Sequence, residues 1–178
     1  DRQSVTAKLQ YSEETSNSTY VGLTDADFNQ DPSRRYGLSS PDQMDNTHSG
    51  VSLTHQFEWS DNVSSTTTLY RNDFKRNWYK LSGAGNIIDQ ANAGDANAQG
   101  ILDGTVDTSG LNYKNNAREY VSQGVQTNFD VNIGNHEFDF GARIHEDEMD
   151  RFQPVDVYDQ VNGSLVFQNS GAPTGSNN

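Results

Sequence analysis

The chain has no cysteine among its 178 residues, which excludes disulfides and thiolate metal sites. Apolar residues are scarce as well, at 31% of the chain, thin for the core of a water-soluble domain of this length. Positive charge is scarcer still. Twelve Lys and Arg stand against 25 Asp and Glu, a net charge of −13, so a nucleic-acid backbone would be repelled by most of the molecule and is not an expected partner. No apolar run approaches the roughly 20 residues of a membrane-spanning helix. A membrane β-barrel stays open, because its strands need only about ten residues of alternating polarity.

That alternation is what the chain does have. Val5, Ala7, Leu9 and Tyr11 alternate with Thr6, Lys8, Gln10 and Ser12, the period of two that puts one set on each face of a strand. The same pattern predicts five strands, at about 4–14, 47–59, 64–81, 117–133 and 136–146. In the second, Val51, Leu53, Phe57 and Trp59 form the apolar set, interrupted by His55. In the third, Thr66, Thr68, Tyr70, Phe74 and Trp78 share one parity and Arg71, Asp73 and Lys75 the other. Val121, Val125, Phe129, Val131 and Ile133 mark the fourth, and Phe138, Phe140, Ala142 and Ile144 the fifth. No convincing amphipathic helix is expected.

Short and long connections alternate. The pairs Asp61-Asn62 and Gly134-Asn135 suit tight hairpins, whereas 15–46, 82–116 and 147–178 read as long loops. Compact soluble domains seldom gather such loops at one end of a sheet. An outer-membrane barrel does, with short periplasmic turns and long extracellular loops. The aromatics agree: Phe57, Trp59, Phe129 and Phe138 lie near the short turns and Tyr11, Phe74 and Trp78 toward the long loops, as two interfacial girdles. The expected fold is therefore all-β, an antiparallel up-and-down meander of about five strands forming part of a transmembrane β-barrel. Five strands cannot close a barrel, and an open edge in lipid leaves backbone groups unsatisfied, so a segment of a larger barrel is expected.

Motifs with chemistry of their own are few. GAGNII at 83–88 lacks the third glycine of a dinucleotide fingerprint, and no nucleophile elbow, P-loop or zinc helix occurs; an enzyme is not expected. TDADFNQD at 24–31 has the alternate oxygens of a calcium loop, but Gln30 and Tyr36 stand where an EF-hand loop needs Gly and Glu. Thr24 and Asp27 instead predict a capped helical turn ending before Pro32. HEDEMD at 145–150 would scatter its ligands over both faces of a strand. It is expected to be a solvated rim, the alternative being a weak divalent-ion site.

Three blocks carry a resemblance: TYVGLTDADFNQDPSRRYGLSSPDQMD at 19–45, TTLYRNDFKRNWYKL at 67–81, and Val125 to Phe167, which opens VQTNFDVNIGNHEFDF. In this order they resemble loop and hairpin sequences of TonB-dependent outer-membrane receptors, particularly those related to iron(III) dicitrate receptors. The resemblance implies a 22-stranded barrel plugged by a separate domain, located in the bacterial outer membrane. It implies import of a ferric siderophore or ferric citrate-like chelate, energised by the TonB complex through a plug that nothing in these residues matches. No resident cofactor is implied. Since ferric citrate is anionic, Arg34 and Arg35 in the first long loop are candidate ligand contacts. Arg71 and Arg76, with Lys75 between them, would extend the patch. The blander possibility is that the two loop arginines neutralise Asp25, Asp27 and Asp31 or anchor lipopolysaccharide phosphates. A different class of protein, a soluble or surface-attached β-domain that binds carbohydrate or a protein partner through Tyr70, Trp78 and Tyr79, would share the alternation.

Overall fold

A computed structural model describes residues 2–173. Seven strands form one open sheet: β1 Gln3–Ser16, β2 Gln43–Ser60, β3 Val63–Ser82, β4 Thr108–Ile133, β5 His136–Phe152, β6 Val155–Val161 and β7 Ser164–Gly171. The order is β1-β2-β3-β4-β6-β7, with β5 also paired to β4, an all-β antiparallel meander. The five expected strands are present and two more follow them. β5 and β6 occupy successive stretches along the 26-residue β4, interrupted at Gln153-Pro154, and β6 continues the pairing with Lys114 opposite Val155. Proline lacks the N–H that a ladder needs, which is why the strand breaks there.

The segment 147–178, expected to be loop, holds the β6–β7 hairpin instead. Its turn residues Asn162 and Gly163 have φ of 49° and 75°, the two left-handed positions that a type I′ turn demands and that Asn-Gly meets at low cost. The other two expected loops carry short helices, α1 Asp25–Gln30, α2 Gly85–Asn92 and α3 Ala96–Leu102. Thr24 caps α1 by accepting from Asp27 N, and Asp95 caps α3 by accepting from the N–H groups of Asn97 and Ala98.

The chain divides into two compact units. Unit 1 takes the start of the chain through Glu13, with Asn46–Lys75 and Glu119–Asp150; unit 2 takes Glu14–Asp45, Arg76–Arg118 and the residues from Arg151 onward. In unit 1 the alternation resolves into two faces. Val5, Leu9, Leu53, Leu69, Phe140 and Ile144 are all exposed, Leu9 by 81% and Ile144 by 77%, and Val51, Leu53, Leu69, Val125 and Ile144 line one groove, together with Tyr70, Arg71, Gln123, His145 and Glu146. The opposite face is polar: the Thr54 and Thr68 hydroxyls are 3.1 Å apart, and Tyr70 Oη lies 2.6 Å from His145 Nδ1 and accepts from Arg143 Nε at 3.0 Å. The expected faces hold for strands two, four and five, but strand three is inverted. Thr68 and Tyr70 belong to the polar face and Leu69 to the apolar one, because an aromatic ring with a hydroxyl finds hydrogen-bond partners that a leucine cannot use.

Unit 2 has a buried core of Val21, Tyr36, Leu38, Leu81, Ala84, Leu102, Leu111 and Tyr113, with Ile87, Ile88 and Ile101 packed against it. The first two long loops are thus folded against strand ends, not structureless. Tyr113 is fully buried and donates its hydroxyl to Leu38 O, so its one polar atom is satisfied inside the core.

Candidate functional site

Arg34 and Arg35, adjacent in sequence, are held by different partners in unit 2. Asp27 lies one turn along α1 from Thr24 and accepts from the Thr24 and Tyr36 hydroxyls, from Gln99 Nε2 and from Arg34 Nη1. Arg34 Nη2 reaches Asp103, and its guanidinium lies 5.1 Å over the Tyr36 ring. The hydrogen bond from Tyr36 is the main reason that the Asp27 carboxyl is held below its ordinary range, with Gln99, Thr24 and Arg34 acting in the same direction against burial. Arg35 serves the backbone: its Nη1 donates to Asn17 O at 2.6 Å, its Nη2 to Ser39 O and, at 2.9 Å, to Asp42 O. Arg34 therefore pairs with acids, Asp27 among the three weighed from sequence, and Arg35 clamps the loop ends.

Arg71 is in unit 1, where it pairs with Asp73 at 2.8 Å and donates to Gln123 at 3.1 Å; Lys75 pairs with Glu119 at 3.1 Å. These are exposed pairs that neutralise one another. Arg76 differs. It belongs to unit 2, its Nε is buried, and that atom has no hydrogen-bond partner among the described residues.

Arg76 is one member of a basic cluster that the sequence does not announce. Alternate positions of β3 carry Arg76, Trp78 and Lys80, and alternate positions of β4 carry Lys114, Asn116 and Arg118. Lys80 is close enough to Arg76, Lys114 and Arg118 to feel the charge of each. Gln153 Nε2 donates to Asn116 Oδ1, and Lys114 faces Val155; the same antiparallel register puts Arg151 opposite Arg118. Arg151, like Arg76, has a buried Nε with no partner among the described residues. Lys80 Nζ sits 3.1 Å from the Tyr20 ring centroid and 4.2 Å from that of Trp78, a cation on two aromatic faces. Burial first, then the neighbouring cations, pull the Lys80 ammonium below its ordinary value, with Asp42 opposing.

The Asp42 carboxylate is fully buried, accepting from Thr19 Oγ1 and from Leu81 N. Burial pushes it above the usual carboxylate range although its hydrogen bonds and Arg35 oppose the rise. At the other acidic motif, His145 Nε2 contacts Asp147 at 2.8 Å, two alternate residues of HEDEMD on one face. Among the described residues no group of three or more His, Asp or Glu is arranged to hold a metal.

Compared with family models, curated proteins and solved structures, the chain matches none.

Proposed function

We propose that the chain is a segment of a bacterial outer-membrane β-barrel receptor of the TonB-dependent kind, contributing lipid-facing strands and loops that face a ferric siderophore or ferric citrate-like chelate. The observation that carries this is the two-faced sheet of unit 1. In water the exposed side chains of Val5, Leu9, Leu53, Leu69, Phe140 and Ile144 have nothing to gain, and apolar side chains gathered on one face of a sheet suit contact with another apolar phase. Hydrocarbon supplies that phase, while the polar face with Thr54, Thr68, Tyr70 and His145 suits a barrel interior. β2, β3 and β4, at 18, 20 and 26 residues, exceed the roughly 9–11 residues that cross a bilayer. An open sheet is not viable in lipid, so further strands must complete the closure. Coupling to the TonB complex would belong to a plug outside these residues.

The two tryptophans make the test direct. Trp59 is 58% exposed near the β2–β3 turn, beside Phe57 at 4.7 Å, whereas Trp78 is hydrogen-bonded to Ser18 O in unit 2. In vesicles of brominated phosphatidylcholine, Trp78→Phe protein is expected to lose most of its emission and Trp59→Phe protein to keep it. Unquenched Trp59 in a monomeric protein that unfolds cooperatively in plain buffer would overturn the reading in favour of a soluble β-domain.

A further inference from the structure

We infer that Arg76, Lys80, Lys114, Arg118 and Arg151 form a binding site for a compact polyanion, a small molecule presenting two or more closely spaced anionic oxygen groups. The argument begins with charge. Five of the chain's twelve cations meet on one face of three neighbouring strands, in a molecule of net charge −13. A protein so acidic has ample carboxylate to neutralise them, as it does for three of the other seven cations: Arg34, Arg71 and Lys75 each contact an acid. In the cluster, Arg76, Lys80, Lys114 and Arg151 make no ion pair among the described residues, and Lys80 rests on aromatic rings instead.

The second observation is the pair of orphaned donors. The Nε atoms of Arg76 and Arg151 are shielded from solvent and lack an acceptor. A buried unsatisfied donor on a charged group is costly, and like charges packed together add to that cost. Anionic oxygens that reach these guanidinium groups would relieve both costs, since each group offers a planar fork that fits carboxylate or phosphate alike. Asn116 and Gln153, both buried and bonded to one another, fix the spacing between the rows. Burial first, and then Arg76, Lys114 and Arg118, lower the Lys80 basicity, so these cations are close enough to repel one another. Asp42 opposes that shift at Lys80, but its carboxylate is already occupied by Thr19 and Leu81.

This inference does not rest on the membrane reading, since all five residues are in unit 2 and binding is measurable without lipid. Trp59→Phe protein leaves Trp78, in the cluster, as the sole tryptophan. Titration at constant ionic strength with tricarballylate and, separately, with pyrophosphate is expected to give a saturable change in Trp78 emission. The arm with the lower midpoint identifies carboxylate or phosphate oxygen as the preferred group. Adding Arg76→Gln and Arg151→Gln together is expected to raise that midpoint at least tenfold, as is Lys114→Gln alone by a smaller factor, while Lys8→Gln in unit 1 leaves it within twofold. Circular dichroism monitors folding, and the double variant, relieved of unpaired charge, is expected to melt no lower than its parent. No saturable change with either anion, or an unchanged midpoint in both the double variant and Lys114→Gln, would overturn the site.

Discussion

Two aspartates in unit 2 show how environment decides what a carboxylate does. Asp27 collects donors from Tyr36, Gln99, Thr24 and Arg34 and is held below its ordinary range, so its ionised form stabilises the fold. A depressed carboxylate contributes stability that is present above the unfolded value, about pH 4, and is lost as pH falls through the lower folded value. Asp42, raised by burial, works in the opposite sense: its contribution is greatest below the unfolded value and is lost as pH rises through the folded one. Asp27→Asn is expected to cost about 2 kcal/mol at pH 7, the range for a lost hydrogen-bonded charge that leaves Arg34 underpaired. Urea unfolding at pH 3, 5 and 7 checks both parts, since the variant should also lose the part of the acid-side decline that Asp27 contributes. Arg34 and Tyr36, seven and nine residues from Asp27, were legible as loop residues. Their convergence on one carboxylate was not, because nothing local specifies the path of a loop.

At the scale of elements, two glycines carry the geometry. Gly163 has φ of 75°, and a Cβ there would lie 3.1 Å from Gly104 O, so Gly163→Ala is expected to destabilise the β6–β7 hairpin by about 1 kcal/mol or more, read as faster amide exchange along β6 and β7. Gly124 lets the Tyr70 ring cross β4: a Cβ would meet Tyr70 Oη at 2.7 Å and Ile144 O at 2.5 Å. Gly124→Ala should displace Tyr70 and lower the melting temperature of unit 1, with the Tyr70–His145 hydrogen bond lost from the histidine's NMR signal. Strands one, two, four and five were legible because strict alternation over a long stretch fits a two-faced strand and does not fit the 3.6-residue period of a helix. The β6–β7 hairpin was missed although Asn-Gly is a strong turn signal. Pro154 cuts the strand before it, and a register shift between Val157 and Tyr158 breaks the alternation. The three helices are six to eight residues long, too short for a helical period to emerge; only the Thr24 cap announced one. The basic cluster joins residues as distant as Arg76 and Arg151, and only strand register puts them on one face.

For the molecule as a whole, the question is which phase the apolar face of unit 1 meets, and a single charge placed on either face answers it. Ile144 is 77% exposed among Leu53, Leu69 and Val125. On the lipid reading, Ile144→Arg costs about 2–4 kcal/mol of insertion free energy if the residue lies near the bilayer midplane. Gln126 is on the opposite parity of β4, so Gln126→Arg should cost little, a barrel interior tolerating charge. In water the order reverses: an arginine in place of an exposed isoleucine is harmless or raises solubility, and no asymmetry between the faces is expected. Folding titrations in phosphatidylcholine vesicles, with each variant compared to the parent, give the difference directly. A large penalty for Ile144→Arg and a small one for Gln126→Arg favour lipid. Equal and small effects mean that the face is covered by another protein surface or left to solvent, and the receptor reading fails.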